Sequence, residues 1–435
     1  MDPERPFTST WMPRRSDAGE SGPARRAEHD RLDRVNGNPV IRSLAHFKLP
    51  LTNGRFSTSL GHLKGDTIAT PLKVILVVSA RPNFMKVAPI LALMKARQDV
   101  FSPVLVHTGQ HYDADLSDVF FEDLQLPDPA HYLAVGSGSH AEMTGKTMMA
   151  FEPVLLEEKA DAVIVVGDVN PTLACALDAA KLHVPVAHVE AGLRSRDRKM
   201  PEEVNRVLTD AMSDFLLTPS RDADENLLAE GIPPERIHFV GNVMVDSLRR
   251  AEGALERSTV LSDNGVADGA FAYATMHRDF NVDQVESLAR ALEVIERVQE
   301  RLPVVFAVHP RTKDRIARFG FEERLAQMGN LRRIAPVGYL DSLRLQRDAA
   351  LVLTDSAGLQ EESTVFQTPC LTMRPNTERP VTVEEGTAVI VNLDADLAAS
   401  HTDDILAGRF KSGSIPEKWD GRAAERIVEV LERAL

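Results

Sequence analysis

Carboxylates, histidines and hydroxyls capable of acid–base work stand in one recurring place in this chain, directly after short apolar runs. Asp168 follows "AVIVVGD", Glu190 closes "VPVAHVE", His277 closes "FAYATMH", His309 follows "VVFAV", and Asp355-Ser356 closes "ALVLTDS". Glu190 ends a run whose other members are apolar, so partial burial is expected; burial raises a carboxyl pKa and suits it to give or take a proton near neutrality. Glu202 and Glu203 follow Pro201 at a helix start, where acids are also ordinary first-turn chemistry. On residue types alone Asp168 reads first as a turn or N-cap residue rather than as an acid–base group. The histidine spacings match no metal-site pattern and no thiol cluster accompanies them, so no metal is expected.

A second group suits anion binding. In "SARPNFMKVAPI", Arg81 and Lys86 sit at the first turns of an expected helix, where cations oppose the helix dipole unless a bound anion offsets them. On residue types alone a solvated basic turn remains an equal reading. In "DSAGLQEES", Ser356 stands at an N-cap position, Gly358 permits close backbone approach, and Glu362 offers a carboxylate to vicinal hydroxyls such as those of a ribose. A nucleotide diphosphate at that helix start satisfies all three. There is no G-x-G-x-x-G or Walker signature for nicotinamide or ATP.

The elements that must position these residues follow from the hydrophobic pattern. From Lys73 onward, continuous apolar runs alternate with amphipathic stretches in two successive series, the pattern of parallel sheets covered on both faces. The expected fold is α/β, with two doubly wound Rossmann-like domains facing each other across a cleft lined by strand ends. The boundaries expected are a disordered extension over 1–72, an N-terminal domain over 73–240 carrying the acid–base residues, a nucleotide-binding domain over 241–412, and a C-terminal helix within 413–435 that returns to the N-terminal domain. The extension is rich in Arg, Asp, Ser, Gly and Pro and lacks the apolar core of a signal peptide.

Composition narrows the function classes. The 435 residues carry a formal net charge of -14, which argues against nucleic acid and anionic membrane surfaces as partners. Two cysteines, Cys175 and Cys370, each between small or apolar neighbours, give no disulfide framework and fit a reducing, cytoplasmic setting. No apolar run approaches a membrane span.

Taken together, "RPNFMKVAPI", "TGQHYD", "GDVN", "VAHVEAGLRS", "MPEEVNR", "GNVMVDSL", "HRDFNVD", "VHPRT", "DSAGLQEES" and "NTERPVTVEEGT" resemble, in order, the non-hydrolysing UDP-N-acetylglucosamine 2-epimerases. The resemblance implies a GT-B-like fold and the interconversion of UDP-GlcNAc and UDP-ManNAc, by elimination of UDP to 2-acetamidoglucal and its re-addition, without NAD or metal. It implies acid–base roles for Asp168, Glu190 and Glu202, a cleft role for His277, and UDP contacts from Arg81, Lys86, Ser356, Gly358, Glu362 and Arg379. It also implies a homodimer, a place in cell-surface polysaccharide synthesis, and a regulatory substrate site at Gln110 and His111. The chain departs from the family at "SARPNFMK", "HRDF" and "DSAG", where many members have Gly-Thr-Arg-Pro-Glu, His-Arg-Arg-Glu and Asp-Ser-Gly-Gly. Changes near the regulatory pair, at Asp113 and Lys146, put that site in question. Rival readings are an epimerase of a modified UDP-acetamido sugar, a UDP-sugar glycosyltransferase, a hydrolysing epimerase, and a UDP-sugar-binding regulator without turnover.

Overall fold

The structure, a computed structural model, describes residues 70–109 and 126–435. The expected extension therefore lies almost wholly outside the described residues, as do Gln110 and His111.

Seven strands form the first sheet: β1 (Leu72–Val78), β2 (Phe101–His107), β3 (His131–Tyr132), β4 (Ala162–Val166), β5 (Val186–Val189), β6 (Phe215–Thr218) and β7 (Ile237–Phe239). Six form the second: β8 (Ala272–Met276), β9 (Val304–Val308), β10 (Leu331–Ile334), β11 (Leu351–Thr354), β12 (Cys370–Thr372) and β13 (Ala388–Ile390). Every pairing is parallel. The two-residue β3 has no apolar run behind it and escapes a reading based on such runs.

Continuous apolar strands are explained by burial on both faces. Val74, Leu76 and Val78 of β1 join one core cluster, while Ile75 and Val77 join another on the opposite face. In β8, Ala272, Ala274 and Met276 face one cluster and Tyr273 faces another. Each side chain in these strands thus loses water contact whichever way the pleat points it.

Strand order fixes where a ligand can sit. The first sheet runs β3-β2-β1-β4-β5-β6-β7 and the second β10-β9-β8-β11-β12-β13. The order reverses between β1 and β4 and between β8 and β11. At such switch points adjacent connections leave to opposite faces and open a crevice beyond the carboxyl ends of the strands. Ser79–Lys86, Asp168, His277–Arg278 and Asp355–Gly358 all leave the sheets at these two points.

The C-terminal helix Ala423–Ala434 packs Ala423, Ile427, Val428 and Leu431 into the first sheet's core. Its two leading amides, Ala423 N and Ala424 N, donate to buried Asp246 at 3.1 and 2.8 Å, so a distant carboxylate supplies the cap that Arg422 cannot. Burial pushes Asp246 up to about 6 against these two bonds. Gly241, at φ +92°, lies so close to the Lys418 carbonyl that a Cβ there would stand 2.1 Å from it. The two segments that connect the sheets therefore lie against each other. Among the described residues no helix is long and apolar enough to cross a membrane.

Candidate active site

The first sheet's wall of the cleft is organised around Glu190. The buried residue leaves β5 in the left-handed region, φ +69°, a conformation costing a glutamate about 1–3 kcal/mol. A buried network compels it. Buried His188, two residues earlier, has Nδ1 2.6 Å from Asp210 and Nε2 2.8 Å from the Gly167 carbonyl, so both ring nitrogens face acceptors. Asp210 also accepts from Gly192 N at 3.1 Å and Arg194 Nη1 at 2.7 Å. Burial would raise the Asp210 pKa, but His188 and Arg194 outweigh it and hold the carboxyl below its usual range. Gly192 backs onto the Ala223 carbonyl, where a Cβ would come within 2.4 Å. In "HVEAGLR", then, His188, Gly192 and Arg194 fix the turn and Glu190 is what it presents.

The Glu190 carboxylate meets cations from both sheets. Lys86, on the helix Arg81–Ala96 that follows β1, pairs with Oε2, and both side chains are buried. Arg379 Nη2, from the loop after β12, lies 3.4 Å from Oε1. The start of the Arg81–Ala96 helix is held by Asn83, whose Oδ1 accepts from Ser79 N and Ala80 N at 3.2 and 3.0 Å while its Nδ2 donates to the Val166 carbonyl at 3.1 Å. That single side chain ties the ends of β1 and β4 together. Arg81 is the first residue of this helix; its side chain lies outside the described residues.

The adjacent glutamates of "MPEEVNR" have separate tasks. Glu203 is buried and accepts from Ser195 N, Ser195 Oγ and Arg196 N at 2.9, 3.0 and 2.9 Å, fastening the preceding loop. Glu202 lines the cleft and has no hydrogen-bond or ion-pair partner among the described residues. Four residues beyond Glu202, buried Arg206 reaches Asp168 Oδ2 at 2.6 Å. Burial opposes ionisation of Asp168, but Arg206, Lys86 and Arg379 prevail and keep its pKa below the usual value. Sequence reasoning missed Arg206. Its spacing from Glu202, one helical turn, was the available signal.

The second sheet's wall is built on backbone groups. Buried Asp355 accepts from His277 N at 3.1 and 3.0 Å, Arg278 N at 2.9 Å and Asn281 Nδ2 at 3.1 Å, and the His277 ring lies 3.1 Å away. Burial pushes its pKa up, but His277 and the amide donors more than compensate, leaving it depressed. Asp355 thus clips the end of β8 to the end of β11. Ser356 precedes the helix Ala357–Phe366, yet its side chain makes no capping bond. The first amides of that helix are left for something else. Above Gly358 a Cβ would meet only Ser356 Oγ, at 3.8 Å, so the helix start is open to the cleft. Ala357 adopts ordinary negative φ, which explains why alanine serves where the family often has glycine.

Glu362, one turn into this helix, is buried and accepts from Gln346 Nε2 at 2.7 Å. Burial pushes its pKa up to about 7, with Gln346 opposing and Glu361 reinforcing the rise. Glu361 instead pairs with Arg379 Nε at 2.5 Å. Glu378 lies 3.2 Å from Arg379 and pairs with Arg374; burial is overcome by these cations, and its carboxyl sits far below the normal range. Glu361, Glu378 and Gln346 were not singled out from sequence, because each needs the fold to show what it faces.

Residues of both walls border one cleft of about 580 Å³, lined from the first sheet by Lys86, Asp168, Glu190 and Glu202 and from the second by His277, Ser356, Gly358, Glu362 and Arg379. The ten residues expected to act on a substrate or hold UDP therefore converge, apart from the Arg81 side chain. The geometry offers three carboxylates on one wall and an open helix N-terminus with a nearby carboxylate on the other.

Comparison with known proteins agrees. Residues 94–432 match the family model described as UDP-N-acetylglucosamine 2-epimerase. The chain is 42% identical over 366 residues to the UDP-N-acetylglucosamine 2-epimerase of Methanocaldococcus jannaschii, covering 83% of this chain and 99% of the relative. It is 41% identical over 366 residues to the UDP-2,3-diacetamido-2,3-dideoxy-D-glucuronate 2-epimerase of Pseudomonas aeruginosa, covering 83% of this chain and 100% of that protein. The crystal structure of the M. jannaschii enzyme in complex with UDP-GlcNAc and UDP superposes with a TM-score of 0.78 at 40% identity, over 83% of this chain and 100% of that one. With its two-sheet, GT-B-like fold and these relatives, the chain belongs to the UDP-N-acetylglucosamine 2-epimerase family and is an isomerase of the 2-epimerase type.

Proposed function

We propose that this enzyme interconverts UDP-GlcNAc and UDP-ManNAc by eliminating UDP and adding it back. A carboxylate on the first-sheet wall takes the proton from C2, the C1–O bond breaks with its electron pair leaving on UDP, and a C1–C2 double bond forms. Re-addition delivers a proton to the opposite face of C2 as the diphosphate oxygen returns to C1. Two faces require at least two acid–base groups, and Asp168, Glu190 and Glu202 supply three on one wall. The observation that carries this reading is Glu190, held in a strained conformation between Lys86 and Arg379 at the centre of the cleft. Functional sites are where such strain is tolerated.

On the opposite wall the Ala357–Phe366 N-terminus receives the diphosphate and Glu362 accepts the ribose hydroxyls. His277, fixed by Asp355, stands beside the departing phosphate. In proton NMR, UDP-GlcNAc incubated with enzyme in deuterium oxide should give UDP-ManNAc carrying deuterium at C2. Inversion without deuterium, or release of free sugar, would refute the elimination–addition route.

The Pseudomonas relative favours a second substrate, a UDP-acetamido sugar substituted at C3 and oxidised at C6. The same assay with that sugar decides between them. We further propose a cytoplasmic homodimer that serves polysaccharide synthesis. Supporting the dimer, Met149 and Leu156 on the helix His140–Glu158 and Leu208 on the helix Pro201–Met212 are large apolar side chains left 71%, 60% and 46% exposed. Sedimentation at twice the monomer mass is the expected result, and a monomer at micromolar concentration contradicts it.

A further inference from the structure

We propose that His188 is a positioning residue for the acid–base wall, held as a buried imidazolium whose two ring N–H groups fasten the Gly167–Asp168 turn to the helix Pro201–Met212. The positioning role deepens the proposed function and rests on it; the charge of the ring does not.

Donors and acceptors around the ring give its charge. Nε2 lies 2.8 Å from the Gly167 carbonyl oxygen, which only accepts, so Nε2 carries a proton. Nδ1 lies 2.6 Å from Asp210, whose carboxylate already accepts from Gly192 N and Arg194 Nη1 and is held in its ionised form. Nδ1 therefore carries a proton too, and a ring protonated at both nitrogens is a cation. The surrounding charges agree. Arg194 pairs with both Asp210 and Glu230. With a neutral His188 this group would set one cation against two carboxylates; with the imidazolium it balances.

What the ring joins gives its role. Gly167 follows β4 and immediately precedes Asp168. A Cβ at Gly167 would stand 3.6 Å from Lys86 Nζ and 3.8 Å from Glu190 Oε2, so this turn lies against that ion pair. Asp210 lies on the helix that presents Glu202 and Arg206 to the cleft. His188 itself precedes Glu190 by two residues. One side chain thus joins the three segments that carry Asp168, Glu190 and Glu202. Arg206 also ties two of them, through Asp168 Oδ2 at 2.6 Å, but that ion pair weakens in the proposed reaction whenever Asp168 takes a proton. Bonds to backbone carbonyls do not. His188 on Gly167, with Asn205 Nδ2 on the Asp168 carbonyl at 2.9 Å, keeps the carboxylates at their spacing through that change.

NMR of the full-length enzyme carrying isotope-labelled histidine reads the ring, with the His188 signal assigned by its loss in His188→Gln. Near neutral pH, where a free imidazole is mostly neutral, the expected signal is that of an imidazolium. A neutral ring overturns the proposal and leaves the epimerase reading intact. Steady-state epimerisation and UDP titration read the role. In His188→Gln, kcat should fall by about tenfold to a hundredfold, the cost of slightly misplaced reacting groups, with KM and UDP affinity held within about twofold. An unchanged kcat overturns the positioning role, and so does an equal loss of kcat and UDP affinity, which marks a general structural defect. Where His188→Gln does not fold, Asp210→Asn removes the counter-ion instead. The one histidine signal that shifts should then be that of a neutral ring, with the same loss of kcat; full kcat in Asp210→Asn overturns the proposal. A wild type that epimerises neither UDP-acetamido sugar overturns the function and the positioning role together, whatever charge the ring shows.

Discussion

The two walls of the cleft handle charge in opposite ways. On the first-sheet wall side chains do the work: Glu190 between Lys86 and Arg379, Asp168 against Arg206, and a buried set of His188, Asp210 and Arg194 behind them. On the second-sheet wall the polar side chain Asp355 is turned inward to hold backbone amides, and the cleft sees a helix start, Gly358 and the half-satisfied Glu362. On the proposed function, the first arrangement moves protons and the second receives negative charge at an open helix start. A reaction that moves protons at one carbon while a diphosphate leaves the next needs both, and separating them lets each be tuned independently.

The sharpest way to break this division is Glu190→Gln. The amide keeps the shape but cannot accept a proton, so turnover should fall by about 10²–10⁴, while UDP, whose diphosphate and ribose contacts are proposed on the other wall, should bind with little change. Single-turnover kinetics and calorimetry read the two quantities separately. A loss of UDP affinity as large as the loss of rate would show that the walls do not divide the labour.

The same division explains what could be read from the chain. Both sheets, their strand ends and the convergence of Asp168, Glu190, Glu202, His277 and Ser356 were legible, because continuous apolar runs fix parallel strands and parallel strands fix where their ends gather. Partner choice was not legible. "PEE" presents two identical side chains, and only the fold shows that Glu203 fastens the loop at Ser195–Arg196 while Glu202 faces the cleft. "QEE" repeats the case, with Glu361 on Arg379 and Glu362 on Gln346. Neighbours one position apart on a helix point about a quarter-turn away from each other, and spacing alone cannot say which direction is the cleft. Glu190's left-handed backbone was likewise invisible, since nothing in its residue type announces it.

A smaller effect sharpens the second wall. Glu362 is pushed up to about 7, chiefly by burial. In the proposed ribose site hydroxyls donate to its ionised form, so UDP should bind best above that pKa and lose affinity as pH falls through it. With one group titrating near 7, affinity should drop about tenfold between roughly pH 8 and pH 6. The terminal phosphate of UDP titrates in the same region, so the comparison is with Glu362→Gln, which should bind more weakly at high pH and show a flatter profile. Parallel profiles in the two proteins would remove Glu362 from the ribose site.

The smallest expected effect lies at Ala357, where the family's usual glycine is replaced. If the position needed left-handed backbone, alanine would strain it and Ala357→Gly would stabilise the protein. Ala357 instead has negative φ as the first residue of the Ala357–Phe366 helix, and its methyl group is buried. Glycine there would loosen the helix start and give up a little apolar contact, at a cost of about 0.5–1 kcal/mol. In a folded body of this size that is a fall in Tm of only about 2 °C or less. UDP affinity should hardly move, because the amides proposed to meet the diphosphate belong to the backbone and persist in either residue. Differential scanning calorimetry and UDP titration on Ala357→Gly check both parts. A higher Tm would mean the alanine is strained, and a tighter UDP complex would mean that its methyl group, rather than the open space above Gly358, limits how closely the phosphate approaches this wall.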